Sequence, residues 1–254
     1  MEQFRDGELQ VNVFENTAEM ADNAARQVGD RIKALLEIKP EVNIVFSGAK
    51  SQQQFHQALA KIADIDWSRI HVFAVDDFYC PEMNPDFAVA NQPKRDLYSK
   101  VNPKSIQIIH FNAPSPEAER SRYERLLKEK RPDIACLGIG ISGHIAFNEP
   151  GQTDFNDPDS VKIITVTAES KMQLMTDPNF KELGIIPNMG ITITISELMR
   201  CPFIFVIVPY IEKAPIIKRF FETEVTPDFP ATVLKTKENA QLFLDADAFR
   251  LCKK

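Results

Sequence analysis

Nothing in this 254-residue chain stays apolar for the roughly 18 consecutive residues that a membrane-spanning helix needs. The stretch Met1 to Asp6 lacks the basic start and apolar core of a secretion signal, so the chain reads as cytoplasmic. Cysteine is scarce. Cys80, Cys136, Cys201 and Cys252 lie far apart with no C-x-x-C pair, which argues against a zinc site or a redox motif. They read as reduced thiols, with Cys136 and Cys201 in the core. Cationic charge is short as well: 30 Lys and Arg stand against 36 Asp and Glu, a formal net charge of -6, which leaves no electrostatic footprint for nucleic acid. Positive charge for an anionic ligand must therefore be local. No internal repeat of about 20 to 50 residues is visible, which argues against solenoids and propellers.

What the chain does contain is ordinary for a packed protein, with 44% hydrophobic and 26% charged residues. Its length suits one large domain over residues 1–254. Leu9 to Phe14 alternates as an edge strand, with Val11 and Val13 on one face, and Asn16 or Thr17 caps a helix to about Glu37. Val42 to Phe46 is a buried strand running into Ser47-Gly-Ala-Lys-Ser51, where Ser51 is placed to cap the next helix. Ile70 to Val75 is another strand, delivering Asp76 and Asp77 at its carboxyl end. Further strands are expected at 106–109, 133–137, 162–166, 186–195, 203–208 and 240–245, with helices at 116–130 and from about 210 to 221. This alternation predicts an α/β fold: an open, mostly parallel sheet, doubly wound with helices on both faces, in the Rossmann-like manner. In such sheets ligands bind beyond the carboxyl ends of the strands, which puts the acidic pair in a good place for proton transfer.

The densest chemistry lies between Gly138 and Gly151, Gly-Ile-Gly-Ile-Ser-Gly-His-Ile-Ala-Phe-Asn-Glu-Pro-Gly. Glycines there let the backbone approach a ligand, and His144 exchanges protons near neutral pH. Gly138, Gly140 and Gly143 spell a dinucleotide fingerprint, but that motif must open a helix and Asn148-Glu-Pro-Gly151 breaks the chain at once. Ser47 to Ser51 follows a strand and precedes a helix, an arrangement that offers free N–H groups to a phosphate. It lacks the Gly-Lys pair of a Walker A loop.

Gly143-His-Ile-Ala-Phe-Asn-Glu-Pro-Gly151 resembles the active-site loop of the glucosamine-6-phosphate deaminases, also called glucosamine-6-phosphate isomerases. The related 6-phosphogluconolactonases share the Gly-His. The resemblance runs in order along nearly the whole chain. Val75-Asp-Asp-Phe-Tyr79 is similar to the family's Met-Asp-Glu-Tyr, and Pro209 to Ala214 to its Gly-x-x-Lys-Ala. By position, it implies that Asp76 moves the proton between C2 and C1 of the open-chain sugar, that His144 opens the ring, and that Glu149 orients His144. It further implies phosphate and sugar contacts from Ser47, Gly48, Ala49, Lys50, Asp77, Gly143, Lys171 and Lys213, with residues of about 152–188 forming a lid. The implied substrate is an amino-sugar phosphate or related sugar phosphate. The implied reaction needs no metal or organic cofactor, and a homo-oligomer fits the family, whose members differ in assembly.

The chain departs from the family on its functional loops. Ser142 stands where the family has an aspartate supporting the histidine, and a hydroxyl adds no charge to favour imidazolium. Ala49, Lys50 and Ser51 replace the family's phosphate-loop residues; Lys50 either supplies charge or points to solvent. Thr194, Ser196 and Glu197 replace small residues, and a Glu197 aimed at the ligand would repel a phosphate. Two readings follow: an active deaminase or isomerase, and a catalytically impaired homologue that binds a sugar phosphate as sensor or partner. Lactonase activity is disfavoured by Phe147-Asn-Glu-Pro150.

Overall fold

A computed structural model describes residues 1–176 and 185–252. Residues 177–184 of the expected lid thus lie outside the described residues. The strands are β1 (Glu2–Asp6), β2 (Leu9–Phe14), β3 (Val42–Phe46), β4 (Ile70–Ala74), β5 (Asp76–Tyr79), β6 (Ser105–Gln107), β7 (Ile134–Leu137), β8 (Val161–Thr165), β9 (Met189–Ile193), β10 (Phe203–Val208) and β11 (Ala240–Asp245). Eight of them form one sheet in the order β1-β2-β11-β10-β7-β3-β4-β6. All its pairs are parallel except β1 with β2. β2 is therefore not the edge expected of it. The Gly7 turn, at φ +61, folds the first residues back as an outer strand in antiparallel register, Glu2 opposite Val13.

Alternation along each strand splits the core into two layers. On one face α1 (Thr17–Ile38) and α2 (Gln53–Leu59) cover Val42, Ile44, Phe46, Cys136, Ile207 and Phe243. The opposite face carries Val45, Phe73, Ala135, Leu137, Val206 and Leu244, beneath α3 (Pro116–Glu129) and α5 (Ala214–Glu222). The sheet is thus doubly wound, and the central strands β3, β4, β7 and β10 are nearly all apolar because both their faces are covered. α1 illustrates the local logic. Asn16 accepts a hydrogen bond from Glu19 N at 2.9 Å, Met20, Ala24, Val28, Ile32 and Leu35 bury one stripe, and Lys39 before Pro40 turns extended. Ser51 does not cap the second helical stretch. It sits inside the 3₁₀ turn Lys50–Gln52, whose preceding residue Ala49 offers no side-chain bond.

The sequence reverses direction in the sheet between β3 and β7, so the loops after these strands open a crevice at their carboxyl ends. Beside it stands a second, antiparallel sheet, β5-β9-β8, which the strand pattern alone did not predict. Val75 is the pivot between the two sheets. Its N–H donates to Phe46 O at 3.1 Å, and its carbonyl accepts from Ile193 N at 3.0 Å. The chain leaves the large sheet there, and Asp76 opens a strand paired with β9, opposite Thr192, rather than lying in a loop. The segment expected as a strand over 186–195 is shorter and almost fully buried. It stops at Ile193 because Thr194 caps the one-turn helix Ile195–Leu198.

Candidate active site

Beyond β7 the chain turns tightly, with Gly143 N donating to Gly140 O at 3.0 Å and Gly140 N to His144 O at 2.9 Å. A side chain at Gly140 would place its Cβ 2.0 Å from His144 Cε1, so the imidazole rests against bare backbone. Gly143 has φ +88, and a Cβ there would lie 1.9 Å from Phe229 Cε2. Asn148 then ties the loop to β9, its Nδ2 donating to Ile193 O at 2.9 Å and to Ile145 O at 3.0 Å.

These constraints bring Ser142, His144 and Glu149 together. Ser142 Oγ donates to Glu149 Oε2 at 2.6 Å, which uses its only hydrogen. His144 Nδ1 lies 2.7 Å from Ser142 Oγ and 2.9 Å from Glu149 Oε1, both acceptors at that point, so Nδ1 must carry hydrogen. Nε2 is the ring nitrogen with no protein partner among the described residues. The three groups do not form a nucleophilic triad, because Ser142 and Glu149 share the same ring nitrogen and the hydroxyl proton faces the carboxylate. A fourth group, Ser170 of α4 (Ala168–Thr176), donates to Glu149 Oε1 at 3.0 Å. Burial opposes the charge on Glu149, but His144 and then the Ser142 and Ser170 hydroxyls outweigh it and hold the carboxyl below its ordinary range.

Asp76 and Asp77 are both buried, yet their surroundings differ. Asp77 accepts from Phe78 N at 2.8 Å, Val89 N at 3.0 Å and Ala90 N at 3.1 Å. Asp76 receives no hydrogen bond from the described residues. Burial first, and the neighbouring Asp77 second, push the Asp76 carboxyl well above its ordinary value. Burial also raises Asp77, to about 7, against the pull of its three amides. Because β-strand side chains alternate, adjacent Asp76 and Asp77 face opposite ways: Asp76 lines the crevice and Asp77 holds the 88–90 loop.

The crevice encloses about 490 Å³. Asp76, His144 and Glu149 line it, together with Ser47, Gly48, Ala49 and Lys50 of the loop after β3. Lys213 lines it too; its Nζ donates to Ile139 O at 2.8 Å, and burial lowers its pKa, opposed by Glu212. Lys50 is exposed at the crevice. The wall beside Asp76 is apolar, made of Phe78, Phe147, Ile164 and Val166. Gly190 opens room for it, since a Cβ there would meet the Phe147 ring at 2.7 Å.

Three expected contacts do not line the crevice: Asp77, Gly143 and Lys171. Asp77 is turned to its amides, Gly143 is backed by Phe229, and Lys171 Nζ donates to Asn188 Oδ1 at 2.7 Å. Glu197 does not face the ligand space either. Its carboxylate accepts from Ser160 Oγ at 3.0 Å and from Arg200 at 2.9 Å. Ser170 and Tyr210, both in the lining, escaped sequence reasoning because no local spacing marks them. Tyr210 has φ 83 and its N–H bonds both oxygens of Asp245, at 3.1 and 3.0 Å, an anchor at the end of β11 that fixes the turn carrying Lys213.

With this geometry in place, the likeness to known proteins becomes specific. A glucosamine-6-phosphate deaminase of Mycoplasmopsis pulmonis is 26% identical over 250 residues, covering 95% of this chain and 94% of that protein. One from a Geobacillus species is 38% identical over 159 residues, covering 61% of each. Among solved structures, a monomeric glucosamine-6-phosphate deaminase superposes with TM-score 0.81 at 23% identity, over 95% of this chain and 99% of that one. The 6-phosphogluconolactonase of Thermotoga maritima gives 0.73 at 21% identity, over 92% and 98%. Both structural likenesses concern the fold. The family model of glucosamine-6-phosphate isomerases and 6-phosphogluconolactonase matches residues 15–243, and the chain belongs to that family.

Proposed function

We propose that this protein converts glucosamine 6-phosphate to fructose 6-phosphate and ammonia by acid–base catalysis. The observation that carries the proposal is the hydrogen-bonded Ser142–His144–Glu149 group, whose imidazole and carboxylate share one crevice with a buried aspartate that receives no hydrogen bond from the described residues. His144, held through Nδ1, presents Nε2 to take the proton of the C1 hydroxyl and pass it to the ring oxygen, which opens the ring. Asp76 takes the C2 proton and returns it to C1, while the C1 oxygen gains the proton that the C2 amine gives up, leaving an imine at C2 that water hydrolyses to the ketose and ammonia. A carboxyl raised by burial is more basic than an ordinary aspartate, which suits it to removing hydrogen from carbon.

The phosphate end is assigned to the loop 47–51 with Lys213 and Lys50. The loop enters the helical stretch 50–59, whose first N–H groups have no intrahelical acceptor and so suit an anion. Residues 1–254 act as one cytoplasmic domain, with Val166, Thr167 and Ser170, at the start of α4, lining the crevice. No described helix is long and apolar enough to cross a membrane.

The test couples ammonia release to fructose 6-phosphate formation from glucosamine 6-phosphate. Turnover is expected in the natural sequence and a fall of about 10²- to 10⁴-fold in Asp76→Asn, the range of general-base contributions. Binding of glucosamine 6-phosphate without turnover would overturn the catalytic reading in favour of an impaired sugar-phosphate-binding homologue. Hydrolysis of a sugar-phosphate lactone without ammonia release would assign the crevice to the other branch of the family.

A further inference from the structure

The loop 47–51 is not self-supporting. Gly48 lies on the segment after β5 so closely that a Cβ would stand 2.4 Å from Val89 O and 3.1 Å from Pro93 Cδ. Ala49 is extended, and its N–H is spoken for: it donates to Gln92 Oε1 at 3.2 Å. The Gln92 amide nitrogen donates to Asp96 Oδ2 at 2.9 Å and lies 3.2 Å from His56 Nδ1. One side chain thus joins the loop to α2, through His56, and to the helical stretch 91–101, through Asp96.

The pattern of donors leaves Gln92 a single orientation. A backbone N–H can meet only its oxygen, and a carboxylate can meet only its NH₂ group. The second hydrogen of that NH₂ then points to His56 Nδ1, which must be an acceptor. His56 is fully buried and its Nε2 has no partner among the described residues, so the proton of the neutral ring sits on Nε2. Asp96 is itself held: Gln57 Nε2 donates to it at 3.1 Å and Arg95 at 2.8 Å. The stretch widens into a π-turn at Lys94–Tyr98, a feature concentrated near functional sites.

We propose that Gln92 is a positioning residue for the anion site: it fixes the Ala49 peptide through a network with His56 and Asp96, and so sets the loop geometry that receives the phosphate of the substrate. The inference rests on the assignment of the 47–51 loop to the phosphate. Gln92 does not line the crevice and touches no reacting atom. Its loss is therefore felt as weaker binding rather than slower chemistry.

Gln92→Leu is the direct test, read by calorimetry with fructose 6-phosphate and with inorganic phosphate, and by steady-state kinetics. Affinity for both ligands is expected to fall about tenfold, the scale of one hydrogen bond of about 1.4 kcal/mol, and KM to rise while kcat stays within about twofold. Gln92→Glu, which keeps the acceptor but sets a second anion beside Asp96, should weaken binding too and covers the case that the leucine variant fails to fold. Unchanged affinity in a folded variant overturns the inference. So does ¹⁵N NMR of the histidine rings showing His56 protonated on Nδ1, a readout independent of any ligand. If the natural sequence binds neither ligand, the assignment of the loop to phosphate fails instead.

Discussion

Ser142 spends its one hydrogen on Glu149 and offers its lone pair to His144, so a neutral hydroxyl joins the imidazole and the carboxylate by geometry rather than by charge. Hydrogen bonds to charged groups are worth about 1.5–3 kcal/mol, so Ser142→Ala should lower kcat by roughly 10- to 100-fold. Ser170→Ala removes a smaller share of the same support. Losing that donor raises the Glu149 carboxyl, so the acid limb of its kcat–pH profile should move to higher pH, with Ser170→Thr restoring it. Asp77 acts through its neighbour. Its charge is the second cause of the high Asp76 value, and Asp76 must be ionised to take a proton. Asp77→Asn should therefore shift the acid limb of kcat/KM to lower pH; an unmoved limb would mean that burial alone sets Asp76.

The glycine loop and the segment beneath it behave as one element. Gly143 takes φ +88 against the Phe229 ring, and Ala231 N donates to Gly143 O at 2.9 Å. The Arg219 guanidinium lies over the same Phe229 ring, 5.0 Å from its centroid. Gly143→Ala adds an unfavourable backbone conformation and a collision together, and should destabilise by at least about 2 kcal/mol in urea titration. Phe229→Ala should cost about 3–5 kcal/mol as a core truncation and also misplace His144, lowering kcat. A variant of Phe229 that lost stability but kept full kcat would show that the loop holds its shape without this support.

At the scale of the molecule, two buried groups give opposite pH responses. Asp77 is raised from 3.8 to about 7 by burial, so folding binds its proton: its contribution is fully present below pH 3.8 and is lost as pH rises through 7. His56 is lowered from 6.5 to about 4 by burial, against Asp96 and Gln92, so folding favours its neutral form. Its contribution is present above pH 6.5 and is lost as pH falls towards 4. Thermal melts should therefore show Asp77→Asn gaining stability relative to the natural sequence as pH rises from 4 to 7. A constant difference across that range would remove Asp77 from the pH response.

Much of this protein is written locally. The apolar runs of β3, β4, β7, β10 and β11, the Asn16 and Ser115 caps, and the glycine–histidine–glutamate loop are carried by neighbouring residues, because turns, caps and strand alternation are short-range physics. Asp76, His144 and Glu149, singled out by the acidic pair at a strand end, the glycine loop and the family resemblance, all line the crevice. Other features depended on partners far along the chain. β1 displaced β2 from the edge, Val75 diverted the chain into a second sheet, and Glu197 found Ser160 and Arg200. Asp77 resembled a ligand contact in sequence, yet three backbone amides captured it, two of them from a loop 12 and 13 residues away. Ser170 reaches Glu149 across 21 residues and Gln92 reaches Ala49 across 43, separations at which residue type and spacing carry no direction. The sequence determined the elements and the chemical groups; only the packed sheets decided which of those groups face the crevice and which hold it in place, because buried polar atoms take whatever partner the tertiary structure brings.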